Sequence, residues 1–382
     1  MPGSELHEKY APIMRFSREE RFFPMSINDF LKYSALYAKG QETPLVSRGK
    51  VRPDDLVMQR SSPETFLRSV TTAPFHGVEV ASKWGVGAMR LIYQWSQNPV
   101  VTWTEEWARS AYDWFSQKTK AATRLFWWNK LLLPKTYADK RRGVREELPR
   151  FDLPPEVRES ALQGYQASQG REPNYTYYYR RMRQPGYEVL QYWFFYAYND
   201  WASGYAGFND HEGDWEGFQV FLKLDRGNHP MEPPAYVCYL DHNSRSSKPW
   251  DHHEVEKVGT HPVIYVAAGS HASYPEARQY PLMALYNLID YAMGDGLTLD
   301  HSEWRSRVNL ETAPWLSNYT GSWGTRYWLP LVWVQKALRT VRSSIPGEVY
   351  LPGVSAPRGP RFSDEGSERL AWRDPAAFAG IA

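Results

Sequence analysis

Two short stretches gather the side chains able to hold a cation or move a proton. The first is Asp210-His211-Glu212-Gly213-Asp214-Trp215-Glu216. In an extended strand Asp214 and Glu216 sit two residues apart and point to one face, which continues into Phe218, Val220 and Leu222. Two carboxylates at the head of an apolar stripe are costly to bury alone, so they require a cation, an arginine or a shared proton. His211, across the bend at Gly213, can swing its imidazole over the same spot. An oxygen-rich donor set with one histidine and no thiolate suits Ca²⁺, Mg²⁺ or Mn²⁺ better than structural zinc. The other reading is a carboxylate pair satisfied by arginine and backbone N–H groups; residue chemistry alone leaves both open.

The second stretch is Gly269-Ser270-His271-Ala272-Ser273-Tyr274, at the end of the apolar run 263–268. A glycine there lets the chain turn sharply and places Ser270 and His271 at a sheet rim as ligands or hydrogen-bonding groups. A nucleophilic serine is disfavoured, because Ala268 and Ala272 stand where a G-x-S-x-G elbow has glycines. A third group, Asp251-His252-His253-Glu254, reads as solvated loop histidines. There is no H-E-x-x-H, P-loop or G-x-G-x-x-G pattern.

The elements that must position these groups read as strands. Tyr192 to Tyr198 is a dense run of β-formers that reads as buried on both faces, with partners at Phe218–Leu224 and Val263–Ala268. The connection 200–213 is long for a hairpin and is therefore expected to carry function. Ser26-x-x-Asp29 predicts a capped helix through Leu31, and Thr102-x-x-Glu105 opens a helix with an apolar stripe, flanked by Lys and Arg, that runs to Pro134. Leu282, Leu285, Leu288 and Ile289 predict another helix, and 328–341 a further one. The Arg- and Tyr-rich segment 171–183 reads as a solvated edge strand, and the tail after Gly366 as loosely held.

Composition narrows the class. With 382 residues, 23% charged and no apolar run near membrane-span length, this is a soluble globular chain. A net charge of +2 lacks the basic excess of a nucleic-acid binder. The one cysteine, Cys238, rules out an internal disulfide, and the absence of an apolar leader near Met1 predicts cytoplasmic residence. The 17 Trp, 26 Tyr and 16 Phe suit a β-sandwich core, a sugar-binding surface or a membrane interface.

His211-Glu212-Gly213-Asp214-Trp215-Glu216, followed by Tyr265-Val266-Ala267-Ala268-Gly269-Ser270-His271-Ala272-Ser273-Tyr274, resembles the vacuolar protein sorting-associated protein 62 family. Tyr10-Ala11-Pro12, Glu20 to Ser26, Trp323-Gly324 and Gly359-Pro360 resemble its terminal regions. His211, Asp214, Trp215 and Glu216 are also similar to the His-x-x-Asp-Trp-Glu motif of the necrosis- and ethylene-inducing-peptide-like cytolysins. That similarity implies a divalent cation on His211, Asp214 and Glu216 of a β-sandwich, near a lipid-headgroup site, with Asp200 or Asp210 as a further acidic ligand.

The expectation is a mainly β chain with α insertions, a jelly-roll-like antiparallel sandwich over residues 1–382. Residues 76–185 form a largely helical insertion and 325–350 a short helical one. Its rim, with Ser270, His271, Tyr196, Tyr198, Trp201 and Trp215 around the cation, binds a lipid headgroup or glycan, with peripheral membrane contact through 102–134 and no nucleic acid. No catalytic residue is assigned. The alternative is a metal-dependent hydrolase whose cation-bound water is served by His271 or Glu212.

Overall fold

Val, Phe, Tyr and Trp dominate Tyr187–Asn199, and branched and aromatic side chains of this kind pack well on a pleated surface. This strand pairs antiparallel with His211–Lys223 along almost its whole length. Both are buried on both faces, as the sequence predicts for Tyr192–Tyr198. Tyr192, Phe194 and Tyr196 join Phe218, Val220 and Leu222 in one apolar cluster. The intervening Trp193 and Phe195 join Trp215 and Phe221 in another.

The computed structural model describes residues 5–58, 64–75, 155–170, 172–201, 210–241, 244–283, 288–330, 348–350 and 354–381. The two long strands are the centre of a six-stranded sheet in the order Ser306–Asn309, Thr176–Gln184, Tyr187–Asn199, His211–Lys223, Tyr236–Asp241, Ser244–Pro249. All its neighbours are antiparallel except the first pair. A five-stranded sheet contains Ser273–Tyr274, His261–Val266, Ile13–Arg15 and Thr298–Leu299 in that order, with Lys257–Val258 paired to His261–Val266. Met14, Ile264, Val266 and Leu299 from this sheet share the cluster around Phe194 and Phe218. The opposite core takes Val157, Ala161 and Tyr165 from the helix Pro155–Gln169 and Trp372 and Ala376 from the C-terminal helices. The chain is thus mainly β with several antiparallel sheets, as expected, although Ile13–Arg15 runs parallel to His261–Val266.

Five local expectations are corrected. Residues Arg278–Met283 and Leu288–Ala292 form a hairpin in place of a helix, because cross-strand hydrogen bonds and the stack of Tyr280 on Tyr274 override leucine spacing. Thr176–Gln184 is an internal strand and not an edge: Ser306–Asn309 flanks it, and Tyr177 and Tyr178 are buried. The helix Ile27–Leu31 forms, but the Ser26 side chain does not cap it; Asp29 instead pairs with Lys32 at 2.6 Å and accepts from Asn174. The tail is docked: Gln191 and Gln219 both donate to the Ala371 carbonyl, and Gln184 bonds Asp374 and the Ala376 N–H. The predicted helix 102–134 and residues 331–341 of the other lie outside the described residues. So does most of the interval 76–185, whose described part contains both the helix Pro155–Gln169 and the main-sheet strand Thr176–Gln184. The start of the predicted helix 328–341 is instead a strand, Trp328–Pro330, paired antiparallel with Glu348–Tyr350, so the described ends of 325–350 are not helical.

Gly213 controls the site that follows. Its φ of +60° interrupts the two-residue alternation, so Glu212 and Asp214 reach opposite cores. A Cβ at this position would also collide with the Trp323 carbonyl. Gly213→Ala is expected to lose at least about 2 kcal/mol, from left-handed backbone strain and the collision together. Urea unfolding checks this, and a loss within ~0.5 kcal/mol of zero would be incompatible with it.

Candidate functional site

The turn after His261–Val266 is held closed by His271 N–H donating to the Ala267 carbonyl at 3.0 Å, with φ +73° at Gly269 and +58° at His271. A non-glycine residue in this region stores roughly 1–2 kcal/mol of strain, so surrounding contacts must hold it there. Gly269 is required for a second reason: a Cβ would stand 2.6 Å from the Asp200 backbone, whose N–H donates to the Gly269 carbonyl. The start of the second stretch thus touches Asp200, at the head of the connection 200–213.

What holds His271 is a buried ion triad. Its Nδ1 lies 2.9 Å from Asp214 Oδ2, and its Nε2 stands 3.4 Å from Glu20 Oε1, an ion-pair separation with no formed hydrogen bond. The ring is fully buried and stacks on Tyr196 at 3.8 Å, 4° from parallel. Glu20 accepts backbone N–H bonds from Arg21, Phe22 and Gly269, and Asp214 accepts from Asn199 and the Trp215 N–H. Burial works against the imidazolium, but Glu20 and Asp214 outweigh it and push the His271 pKa up to about 10. For Asp214, burial is overcome by the hydrogen bond from His271 and the fields of His211 and His271, so its pKa falls; Glu20 falls too, through His271 and the backbone donors. Sequence reasoning took His271 for a rim ligand and missed Glu20, which lies 194 positions before Asp214 and is marked by no local pattern.

Ser270 and Glu212 are likewise engaged. Ser270 Oγ donates to Asp290 at 3.0 Å, and Tyr274 donates to the other oxygen of the same carboxylate at 2.8 Å. Glu212, on the opposite core, accepts from the Ser69 N–H and hydroxyl and the Val70 N–H on one oxygen, and from the Thr325 N–H and hydroxyl on the other.

Asp200 and Asp210 flank Arg158 of the helix Pro155–Gln169: Arg158 lies 3.7 Å from Asp200, and both acids raise its proton affinity against the effect of burial. His211 Nδ1 lies 2.9 Å from the Gly213 carbonyl. A carbonyl can only accept, so Nδ1 is the protonated nitrogen, and a ring carrying that one proton has its lone pair on Nε2. Trp201, Trp215 and Tyr198 are buried close by, and Trp215 packs edge-on against Phe195, away from the Asp214 face. The donors of His211, Asp214 and Glu216 are not drawn within 4.8 Å of one another. Among the described residues only His252, His253 and Glu254 meet that spacing. There, however, His252 Nδ1 accepts the Glu254 N–H, which puts the ring proton on Nε2, and Lys248 pairs with Glu254 at 2.5 Å.

No family model matches the chain, and the resemblance to the vacuolar protein sorting-associated protein 62 family is not supported. No curated protein matches the chain either. Solved structures do show partial likeness. Necrosis and Ethylene inducing Protein 2, from the causal agent of cocoa's Witches Broom disease, is 16% identical at a TM-score of 0.25, over 38% of this chain and 60% of that one. A second, titled "Toxin fold as basis for microbial attack and plant defense", is 12% identical with a TM-score of 0.25, over 41% and 61%. NLPPya in complex with glucosamine is 15% identical with a TM-score of 0.20, over 26% and 43%. The chain therefore spans about three fifths or less of the length of these neighbours.

The triad fixes a pH signature. His271 holds its proton up to about pH 10 when folded and only to its ordinary 6.5 when unfolded. Its stabilisation is complete below pH 6.5 and is lost as pH rises toward 10. Between those limits the folded chain binds one more proton, so this group makes stability fall by about 1.4 kcal/mol per pH unit. The depressed carboxyls act in reverse: their contribution is present above their ordinary values of 3.8 and 4.5 and is lost as pH falls. His271→Gln is expected to cost about 3–5 kcal/mol at pH 6, by leaving two buried carboxylates without their cation. It should also flatten the alkaline limb of a urea-unfolding series; an unchanged slope there would contradict the triad.

Proposed function

We propose that this chain is a ligand-binding protein, built as a jelly-roll-like sandwich with helical additions, and that it is not a hydrolase. Its rim takes a divalent cation, Ca²⁺, Mg²⁺ or Mn²⁺, on His211, Asp214 and Glu216 with Asp200 or Asp210. Through that cation it holds a glycan or an anionic lipid headgroup.

The observation that carries the cation reading is the tautomer of His211. Its Nδ1–H is directed at the Gly213 carbonyl, the arrangement by which metal-binding histidines are oriented through their second nitrogen. The donor set fits a hard cation: carboxylates with one imidazole and no thiolate. Asp214 contributes Oδ1, since Oδ2 serves His271 and Asn199. Because the donors stand more than 4.8 Å apart as a group, binding draws Glu216 or His211 toward Asp214.

The same geometry weighs against hydrolysis. A general base must be unprotonated near the working pH, and His271 is a buried imidazolium with a pKa of about 10. Glu212 accepts five hydrogen bonds on the far core, and Ser270 is directed at Asp290. The three groups able to shuttle a proton or attack a substrate thus maintain the fold. Contact with a membrane surface, on this reading, is added by the Trp- and Lys-rich stretch 102–134. No helix among the described residues is long and apolar enough to cross a membrane.

Calorimetric titration with Ca²⁺, Mg²⁺ and Mn²⁺ separates these readings. Wild type is expected to bind at least one cation with Kd near or below ~10⁻³ M, and His211→Ala and Glu216→Gln to weaken it about tenfold or more. Equal uptake by wild type and both variants removes the site. Turnover of phosphoester, glycoside or ester substrates that stops with chelator reverses the choice in favour of the hydrolase.

A further inference from the structure

Arg180, midway along Thr176–Gln184, reaches from the sheet to the C-terminal helix Leu370–Arg373. Its Nη1 donates to the Trp372 carbonyl at 3.0 Å, and its guanidinium lies 4.6 Å from the centre of the Trp372 ring. Beside this contact is a cavity of about 300 Å³, lined by Arg180, Arg361, Arg373, Glu311, Glu368 and Trp372. Three cations face two anions, which leaves one positive charge in excess. Arg361 is paired with Glu368 at 2.6 Å. Among the described residues, Arg180 and Arg373 have no carboxylate within ion-pair distance, and Glu311 acts on Arg180 only through space. Burial, with Arg361 nearby, holds Arg180 below its usual pKa, so its charge is stabilised by whatever anion enters.

We infer that this cavity binds a small oxyanion attached to a planar or apolar body, such as a phosphate monoester or an aromatic carboxylate. The planar guanidinium fork matches both oxyanions, bidentate where geometry allows. The Trp372 ring, with Leu310 and Pro314 on the same wall, supplies apolar surface for the body. The volume sits at the lower end of the roughly 300–1,000 Å³ of small-molecule sites. The site is separate from the cation rim. Arg180 is opposite Gln191, and eight residues of strand at about 3.3 Å each put Asn199 roughly 26 Å further along.

The test uses the full chain, with phenyl phosphate and benzoate as probes and benzyl alcohol as the neutral control, titrated calorimetrically at low ionic strength. Saturable binding of at least one anion is expected, and the tighter of the two identifies the oxyanion. Benzyl alcohol should bind at least about tenfold more weakly, because the excess charge has nothing to act on. Arg373 is exposed and makes no ion pair, so Arg373→Gln should keep the wild-type near-UV circular dichroism while weakening the anion about fivefold or more. Glu311→Gln removes a repelling charge and should tighten it about twofold or more. Absence of binding by both anions, equal affinity in Arg373→Gln and wild type, or benzyl alcohol binding as tightly as the anions overturns the proposal.

Discussion

A protonated histidine held between two carboxylates, with no exposure to water, ties together the strand ends around Asp214 and Gly269. Glu20 comes from the N-terminal segment, His271 from a strained turn after one sheet, and Asp214 from the central strand of the other. Breaking such a set leaves a bare charge in a low-dielectric interior, at a cost of several kcal/mol. Three distant parts of the chain are therefore bound to one geometry. The left-handed backbone of His271 and the contact of Gly269 with Asp200 exist because the triad and the Tyr196 stack hold them.

The same interaction divides the neighbouring polar groups by task. Asp214 pairs with His271 through Oδ2, while its Oδ1 accepts the Trp215 N–H. Glu212, two residues earlier, is turned away by Gly213 and ties residues 69–70 and 325 to the sheet. His211, before the same glycine, uses its carbonyl contact to present a lone pair. One left-handed residue thus sets adjacent side chains to different partners: Glu212 to residues 69–70 and 325, Asp214 to His271, and His211 to the Gly213 carbonyl.

The central strands were legible because their signal is local. Tyr192–Tyr198 and Phe218–Leu222 are β-formers over a length too short for a core helix, and for the first no alternation was needed to recognise it as doubly buried. The carboxylate pair was legible as needing a cation, an arginine or a shared proton, but residue types could not say which. The structure supplies an imidazolium for Asp214 and an arginine, Arg158, beside Asp200 and Asp210. Helices read from leucine spacing at 282–294 failed because a 3.6-residue pattern in a short segment yields to strand pairing offered by the rest of the fold. The docked C-terminus was invisible for the same reason: Gln184, Gln191 and Gln219, which grip it, are ordinary polar residues until the strands align them.

Sequence by itself determined the mainly β class, the two central strands and the placing of Asp214 and Glu216 on one face. These follow from side-chain shape and the two-residue period of a strand. Only the tertiary structure decided that His271 is paired with Asp214 and Glu20 and holds its proton more tightly than a free imidazole, that Glu212 faces away, and that Arg158 stands beside Asp200. Protonation state and partner choice depend on burial and on charges brought together from far along the chain, and neither quantity is carried by neighbouring residues in the sequence.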